Sequence, residues 1–225
     1  MWIGYDSKFI MKRFIKYITL QVLNLWSHIY TYDQSLRIGN WRNFVYSIWI
    51  KHFIGEVGAG SSVFYPCSLQ GSGQKRIIIG DNTIIQGHCI LGCWEKYFGQ
   101  SFTPSIKIGN NCCIGEYNHI TACNRITIGD GLLTGRFVYI GDNAHGGLSW
   151  EEADIPPARR SLQSKGEVII GNNVWIGDKV TILAGVHIGN NVIVAANAVV
   201  TKDIPDNSMV AGIPARIVKQ MVKEI

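Results

Sequence analysis

The chain has 225 residues, 21 Lys and Arg against 16 Asp and Glu, and a net charge of +5. That length suits one domain with short additions. The mild basic balance carries no dense Lys/Arg run and no nucleic-acid motif, so nucleic-acid binding is excluded. Six cysteines include no CxxC pair with finger-like spacing, which excludes a zinc finger and leaves free thiols in a reducing compartment as the default.

Residues 7–30 read SKFIMKRFIKYITLQVLNLWSHIY, with Lys8, Lys12 and Lys16 at i, i+4 spacing among Phe, Ile, Leu and Trp26. The uncharged run from Tyr17 to Tyr32 is broken by Gln21, Asn24 and His28. It falls short of the roughly 20 apolar residues of a bilayer span. A signal peptide fits the charge pattern, but no A-x-A cleavage site follows. Two readings stay open. One is an interfacial amphipathic helix at a membrane surface; the other is a helix docked on the domain's end or on a neighbouring subunit. A second helix is predicted over residues 40–53. Its stripe is Trp41, Phe44, Val45, Ile48, Trp49 and His52, expected to face inward and cap an open end of the domain, with His52 structural. Residues 1–56 thus form an N-terminal helical region.

From Val57 and Val63 onward an aliphatic residue recurs about every six positions, clearly at Ile79, Ile85 and Leu91. Residues 93–105 interrupt the period as a projecting loop. Ile108, Ile114 and Ile120 resume it, with Asn118 a polar exception in an inward slot. Residues 121–127 slip slightly before Ile128, Thr134 and Ile140, and a second loop covers residues 142–166. The period then runs without a slip through Ile170, Ile176, Ile182, Ile188, Val194 and Val200. Val174, Val180, Val186, Val192 and Ala198 follow four residues after five of these. A six-residue period fits neither a helix nor a simple strand. It fits a solenoid of stacked coils, three hexads and 18 residues each, with an aliphatic column inside. Gly171, Gly177 and Gly189 are expected to let the corners turn, and Asn172, Asn173, Asn190 and Asn191 to suit them by adopting left-handed backbone and bonding their own chain. Cys89 and Cys112 fall in inward slots and are expected to pack as small apolar groups. The solenoid spans residues 57–203. Residues 204–225 form an extension, with a helix predicted over residues 214–224 and Pro214 in its first turn.

The run over residues 168–203 resembles the hexapeptide-repeat acyltransferases, which fold as left-handed parallel β-helices. Asp142-Asn143-Ala144-His145-Gly146-Gly147 resembles the D-x-x-H-G of that family's sugar and polysaccharide O-acetyltransferases. Pro156-Pro157-Ala158-Arg159-Arg160 and Ser164-Lys165-Gly166 resemble the loop of the same subgroup. The likeness extends over residues 106–220 or so, ending in Ala211-Gly212-Ile213-Pro214-Ala215-Arg216. It implies an all-β solenoid with helical additions, a cytoplasmic homotrimer, and acetyl-CoA as donor in a groove between subunits. The family's donor contacts fall on Asp178, Ala196, Thr201, Lys202, Arg216 and Lys219, with Trp175 beside the pantetheine arm or packed on its own loop. Asp178 departs from the small polar residue expected there. The acceptor positions depart further: Gly115 and Cys123 stand where polar residues are expected, and neighbouring Glu116 and Asn124 are the candidates to replace them or are simply solvated corners.

Imidazole titrates near neutrality, so His145 can take a hydroxyl proton and return it to a departing thiolate. Asp142 either orients that ring or shapes the turn. His119 and His187 point outward on different sides and His88 sits at a corner, so no three histidines share a column and no metal site is expected. The expected activity is O-acetylation of a sugar hydroxyl, on a surface polysaccharide or its precursor. The alternatives are another small acceptor (an amino sugar, serine or an antibiotic) and a non-catalytic scaffold. Residues 7–30 leave open a peripheral contact with the inner membrane.

Overall fold

The computed structural model describes residues 7–221, with two compact units meeting at Arg42 and Asn43. The first holds helix α1 (Ser7–Ile29) and the start of helix α2 (Tyr32–Lys51). The Thr31 hydroxyl accepts from the Gln34 N–H at 3.3 Å, and the Gln34 carbonyl oxygen accepts from the Thr31 N–H at 3.0 Å. This reciprocal box starts α2 by satisfying two otherwise orphaned donors. The described side chains of α1 are exposed, Phe14, Leu25 and Trp26 among them. No described helix is long and apolar enough to cross a membrane.

In the second unit α2 does close the first coil, but not with the face the spacing predicted. Phe44, Val45, Ile48, Trp49 and His52 are exposed, as is Trp41, and the inward face is Tyr46, Ser47 and Ile50. The reason is the backbone it covers. The first coil presents unpaired amides and carbonyls, and a capping element must supply polar partners for them. Ser47 Oγ accepts from the Val63 N–H at 3.0 Å. The Tyr46 hydroxyl donates to the Cys67 carbonyl at 2.7 Å and accepts from the Cys67 N–H at 3.0 Å.

The solenoid has three parallel faces. The first runs from Glu56–Val57 through Ile77–Ile79, Ser105–Ile108, Arg125–Ile128 and Val168–Ile170 to His187–Ile188. The second runs from Ser62–Val63 through Ile84–Ile85, Cys113–Ile114, Leu133–Thr134, Trp175–Ile176 and Ile193–Val194 to Ser208–Ala211. The third runs from Cys67–Gln70 through Cys89–Cys93, His119–Ala122, Tyr139–Gly141 and Thr181–Ile182 to Val199–Val200. Ile170 pairs with Ile188, Ile176 with Val194 and Ile182 with Val200, the predicted coil of 18 residues. Hexad leaders and the small residues four later are buried together.

One corner carries a side-chain ladder. Asp81, Asn110, Asp130, Asn172, Asn190 and Asp206 each accept, through Oδ1, the backbone N–H of the preceding coil at 2.7–2.8 Å. Asn172 and Asn190 therefore bond the backbone of the neighbouring coil rather than that of their own turn, while Asn173 and Asn191 take the left-handed backbone expected of them (φ 54° and 56°). Gly171 is required for a different reason than turning: a Cβ there would lie 2.7 Å from the backbone of Gly189 in the next coil. Asn118, the polar inward residue, accepts from the Val138 N–H at 2.7 Å and donates to Thr134 Oγ1, so its buried amide is satisfied.

The C-terminal segment departs from the expected helix. Arg216–Gln220 is a strand, antiparallel to Ser208–Ala211 after a turn at Gly212 (φ 97°). It pairs with the backbone edge that the last coil of the second face would otherwise leave open. Residues 222–224 of the expected helix lie outside the described residues. Five of the six free cysteines are buried; Cys112 is buried and its neighbour Cys113 only half so.

Candidate functional site

Both interruptions of the period leave from the third face. One follows Cys89–Cys93 and the other follows Tyr139–Gly141; His119–Ala122 lies between those two strands and pairs with each. The insertions therefore rise side by side. The first closes as a hairpin, Lys96–Tyr97 against Gln100–Ser101, through left-handed Phe98 (φ 42°) and Gly99 (φ 81°). The second folds back so that Ala144–His145 pairs with Leu162–Gln163, His145 opposite Leu162. Gln100 Oε1 accepts from the Leu162 N–H at 2.9 Å and ties one insertion to the other.

Between them and the outward side chains of the face lies a cavity of about 500 Å³. Trp94, Tyr97, His119, Thr121, Tyr139, Asn143, His145 and Leu183 line it, with Gln70, Ala144 and Leu162. Strand alternation places His119 and Tyr139 here: each precedes an inward Ile, so each points out, and the strands pair them side by side with rings 5.4 Å apart. Trp94 Nε1–H donates to Thr121 Oγ1 at 3.2 Å, holding the indole over the cavity floor. Burial lowers the His119 pKa and raises that of Tyr139, the latter with a smaller push from the Asp142 carboxylate. A concave pocket with aromatic walls and polar groups converging on it is a usual form of a small-ligand site.

His145 stands on the rim. Its Nδ1 lies 3.2 Å from the Tyr97 hydroxyl, and the two rings meet at 62° with centroids 5.3 Å apart. Nε2 makes no hydrogen bond to any described residue. Asp142, three residues earlier, is fully buried and turned elsewhere. Its Oδ1 accepts from the Cys123 N–H at 2.8 Å and its Oδ2 from the Asn124 N–H at 2.9 Å; Asn143 Nδ2 also donates to Oδ1 at 3.0 Å. The carboxylate thus binds the corner that follows His119–Ala122, and among the described residues it makes no hydrogen bond to His145.

The other candidates are not gathered at this cavity within one chain. Glu116 pairs with Arg136 at 3.0 Å and lines a separate cleft with Asp178, whose Oδ1 accepts from the Arg136 N–H at 2.8 Å. Asn124 is exposed and spends its backbone N–H on Asp142. Trp175 is exposed on the second face; Ala196 is exposed at the corner after it. Thr201 and Lys202 follow the last strand of the third face; Arg216 and Lys219 lie on the terminal antiparallel strand. His187 sits on the first face, and His88 at a left-handed corner stacks on Tyr117. Trp94, Tyr97, His119 and Tyr139 are what the sequence reading missed. The signal was available in part: Trp94, Tyr97 and Phe98 crowd an otherwise polar interruption of the period.

The family described as "Bacterial transferase hexapeptide (six repeats)" matches residues 167–202. The chain is 37% identical over 139 residues to WbbJ of Escherichia coli strain K12, named for lipopolysaccharide biosynthesis O-acetyl transfer; the match covers 55% of this chain and 70% of that one. It is 35% identical over 126 residues to the galactoside O-acetyltransferase of the same strain, covering 54% of this chain and only 57% of that enzyme. Among solved structures, AntD, an N-acyltransferase from Bacillus cereus bound to dTDP and 3-hydroxybutyryl-CoA, superposes with a TM-score of 0.61 at 22% identity, over 78% of this chain and 88% of that one. The coil register, the match over residues 167–202 and the likeness to WbbJ agree: the chain belongs to the hexapeptide-repeat acyltransferase family, and its solenoid is a left-handed parallel β-helix.

Proposed function

We propose that the protein transfers an acetyl group from acetyl-CoA to a sugar hydroxyl, on a surface polysaccharide or its precursor, with His145 as general base. The observation that carries this reading is the His145 imidazole on the rim of an aromatic-walled cavity, with Nε2 unengaged by the described residues. Aromatic walls suit the apolar face of a sugar ring, and the relatives named for lipopolysaccharide and galactoside O-acetylation support a hydroxyl acceptor. His145 Nε2 takes the acceptor's O–H proton as the oxygen attacks the thioester carbonyl. The tetrahedral intermediate expels the CoA thiolate, which recovers that proton from the imidazolium.

A homotrimer fits the scatter of the donor candidates. Trp175, Asp178, Ala196, Arg216 and Lys219 lie on the second face or at its edges, away from His145 on the third. A neighbouring subunit would bring one set to the other, and Lys202, Arg216 and Lys219 would then meet the anionic phosphates of the donor. The same reading puts the enzyme in the cytoplasm, with α1 resting on the inner membrane. Ser7–Ile29 holds no acidic residue, carries Lys12, Arg13 and Lys16, and leaves its apolar side chains exposed.

The test is transfer from acetyl-CoA to a panel of sugars, nucleotide-sugars and amino sugars, with the modified atom identified by mass spectrometry. Ester formation on a sugar oxygen is the expected product. Amide formation on an amino sugar, or CoA-independent binding alone, contradicts it.

A further inference from the structure

We infer that Tyr97 is a positioning residue that holds His145 in the tautomer protonated on Nδ1. The inference rests on the base role proposed for His145 and adds the group that prepares it. The Tyr97 hydroxyl has two neighbours and one proton. The Ala158 carbonyl lies 2.8 Å away and can only accept; His145 Nδ1 lies 3.2 Å away and can do either. The shorter contact is to an obligate acceptor, so the phenol's proton goes to Ala158. The hydroxyl oxygen then presents a lone pair to the imidazole, and Nδ1 must carry the hydrogen that fills it. A neutral ring with its proton on Nδ1 has its lone pair on Nε2, the nitrogen with no hydrogen bond to a described residue. That is the form a general base needs. Neutral imidazole in water prefers the opposite tautomer, with Nε2 protonated and unable to accept.

The bond also strengthens when it is needed. Once Nε2 has taken the acceptor's proton, the ring is an imidazolium and the Nδ1–H···O contact becomes charge-assisted. Loss of a neutral–neutral bond would be minor; loss of one to a developing charge is worth about a 10- to 100-fold fall in rate. The placement explains why a hairpin interrupts the coil at residues 96–101. Ring contacts to Trp94 at 6.0 Å and Phe98 at 5.0 Å fix the phenol, and the Gln100 bond to the Leu162 N–H fixes the hairpin against the strand that pairs with His145. The buried carboxylate of Asp142 is taken up by the Cys123 and Asn124 amides, so a neutral hydroxyl does the orienting.

The experiment is long-range proton–nitrogen NMR on the full chain labelled with ¹⁵N-histidine, with the His145 signals assigned by their loss in His145→Ala, alongside steady-state transfer kinetics. The wild type is expected to show the Nδ1–H tautomer at His145. Tyr97→Phe keeps the ring and removes the oxygen. It is expected to revert His145 to the Nε2–H form and to lower kcat about 10- to 100-fold with the KM for acetyl-CoA unchanged. Gln100→Ala loosens the hairpin without touching the hydroxyl and is expected to leave the tautomer as it was; equal shifts in both variants would mean a merely structural role and overturn the assignment. A wild-type ring protonated on Nε2 overturns it whatever the kinetics, and remains measurable if Tyr97→Phe does not fold. An Nδ1–H ring in a wild type that transfers to no acceptor upholds the assignment and removes the base role instead.

Discussion

The coils over residues 168–203 and the stretch over residues 93–163 are built from the same hexads, yet they do opposite things with them. In the first, every turn repeats at 18 residues, and the inward positions, from Val174 to Ala198, are buried. In the second, equivalent corner residues on successive coils stand 20, 29 or 42 positions apart, because slips and insertions intervene. Regular coils satisfy their backbone and bury every inward side chain, so only their outward residues, Trp175 and Lys202 among them, are left to meet a ligand. The interrupted coils keep that column intact inside and spend the extra chain outside it, where a hairpin and a folded-back strand wall a cavity. Rigidity comes from the period, and chemistry from its exceptions.

Excising the hairpin should give the largest separation of the two. Replacing residues 96–101 by two glycines removes Tyr97 and the Gln100 contact but no buried coil residue. Transfer is expected to fall below detection while circular dichroism and the cooperative melt persist; wild-type transfer would break the comparison. The converse substitution is Ile176→Ala in a regular coil, where the side chain is fully buried. Leaving that cavity should cost about 2–5 kcal/mol by denaturant titration, with kcat intact in the protein that remains folded.

Asp142→Ala sits on the boundary between the regions. It strips the acceptor from the buried Cys123 amide, at about 1–3 kcal/mol for a buried amide left unpaired, and from the Asn124 amide, which water can reach at lower cost. A large stability loss is expected. Unchanged stability with lost turnover would instead return the carboxylate to the role of orienting His145. The smallest effect is a pH slope. Burial holds the His119 pKa below its ordinary 6.5 in the folded chain, so below that pH the unfolded chain binds more protons. Stability should therefore decline as pH falls through about 6.5, and His119→Gln should flatten part of that decline when melting temperatures are compared between about pH 8 and pH 5.

Much of the solenoid was legible because a six-residue period constrains every inward position at once. Ile170, Ile176 and Ile182 fixed the register of the regular coils, and the same rule located both loops. What spacing could not carry was anything decided by backbone supply and demand. The stripe of Phe44, Ile48 and Trp49 had the periodicity of a buried face, yet Ser47 and Tyr46 face inward because the first coil needs hydrogen-bond partners. The segment after Pro214 had a helical composition, yet an open sheet edge draws it into a strand. At the site, His145 was legible through its motif. Tyr97 was not, since nothing in a sequence tells which residue of one insertion will meet the other 48 positions away. His119 was read correctly as pointing outward; only the stacking of coils shows that outward, on that face, means into the cavity.

The most direct measurement sets the wild type beside His145→Ala, with acetyl-CoA binding read by calorimetry and transfer by product mass spectrometry. The account predicts an intact fold, an unchanged Kd for acetyl-CoA and transfer lower by about 10²–10⁴-fold. Transfer at the wild-type rate in that variant would contradict it.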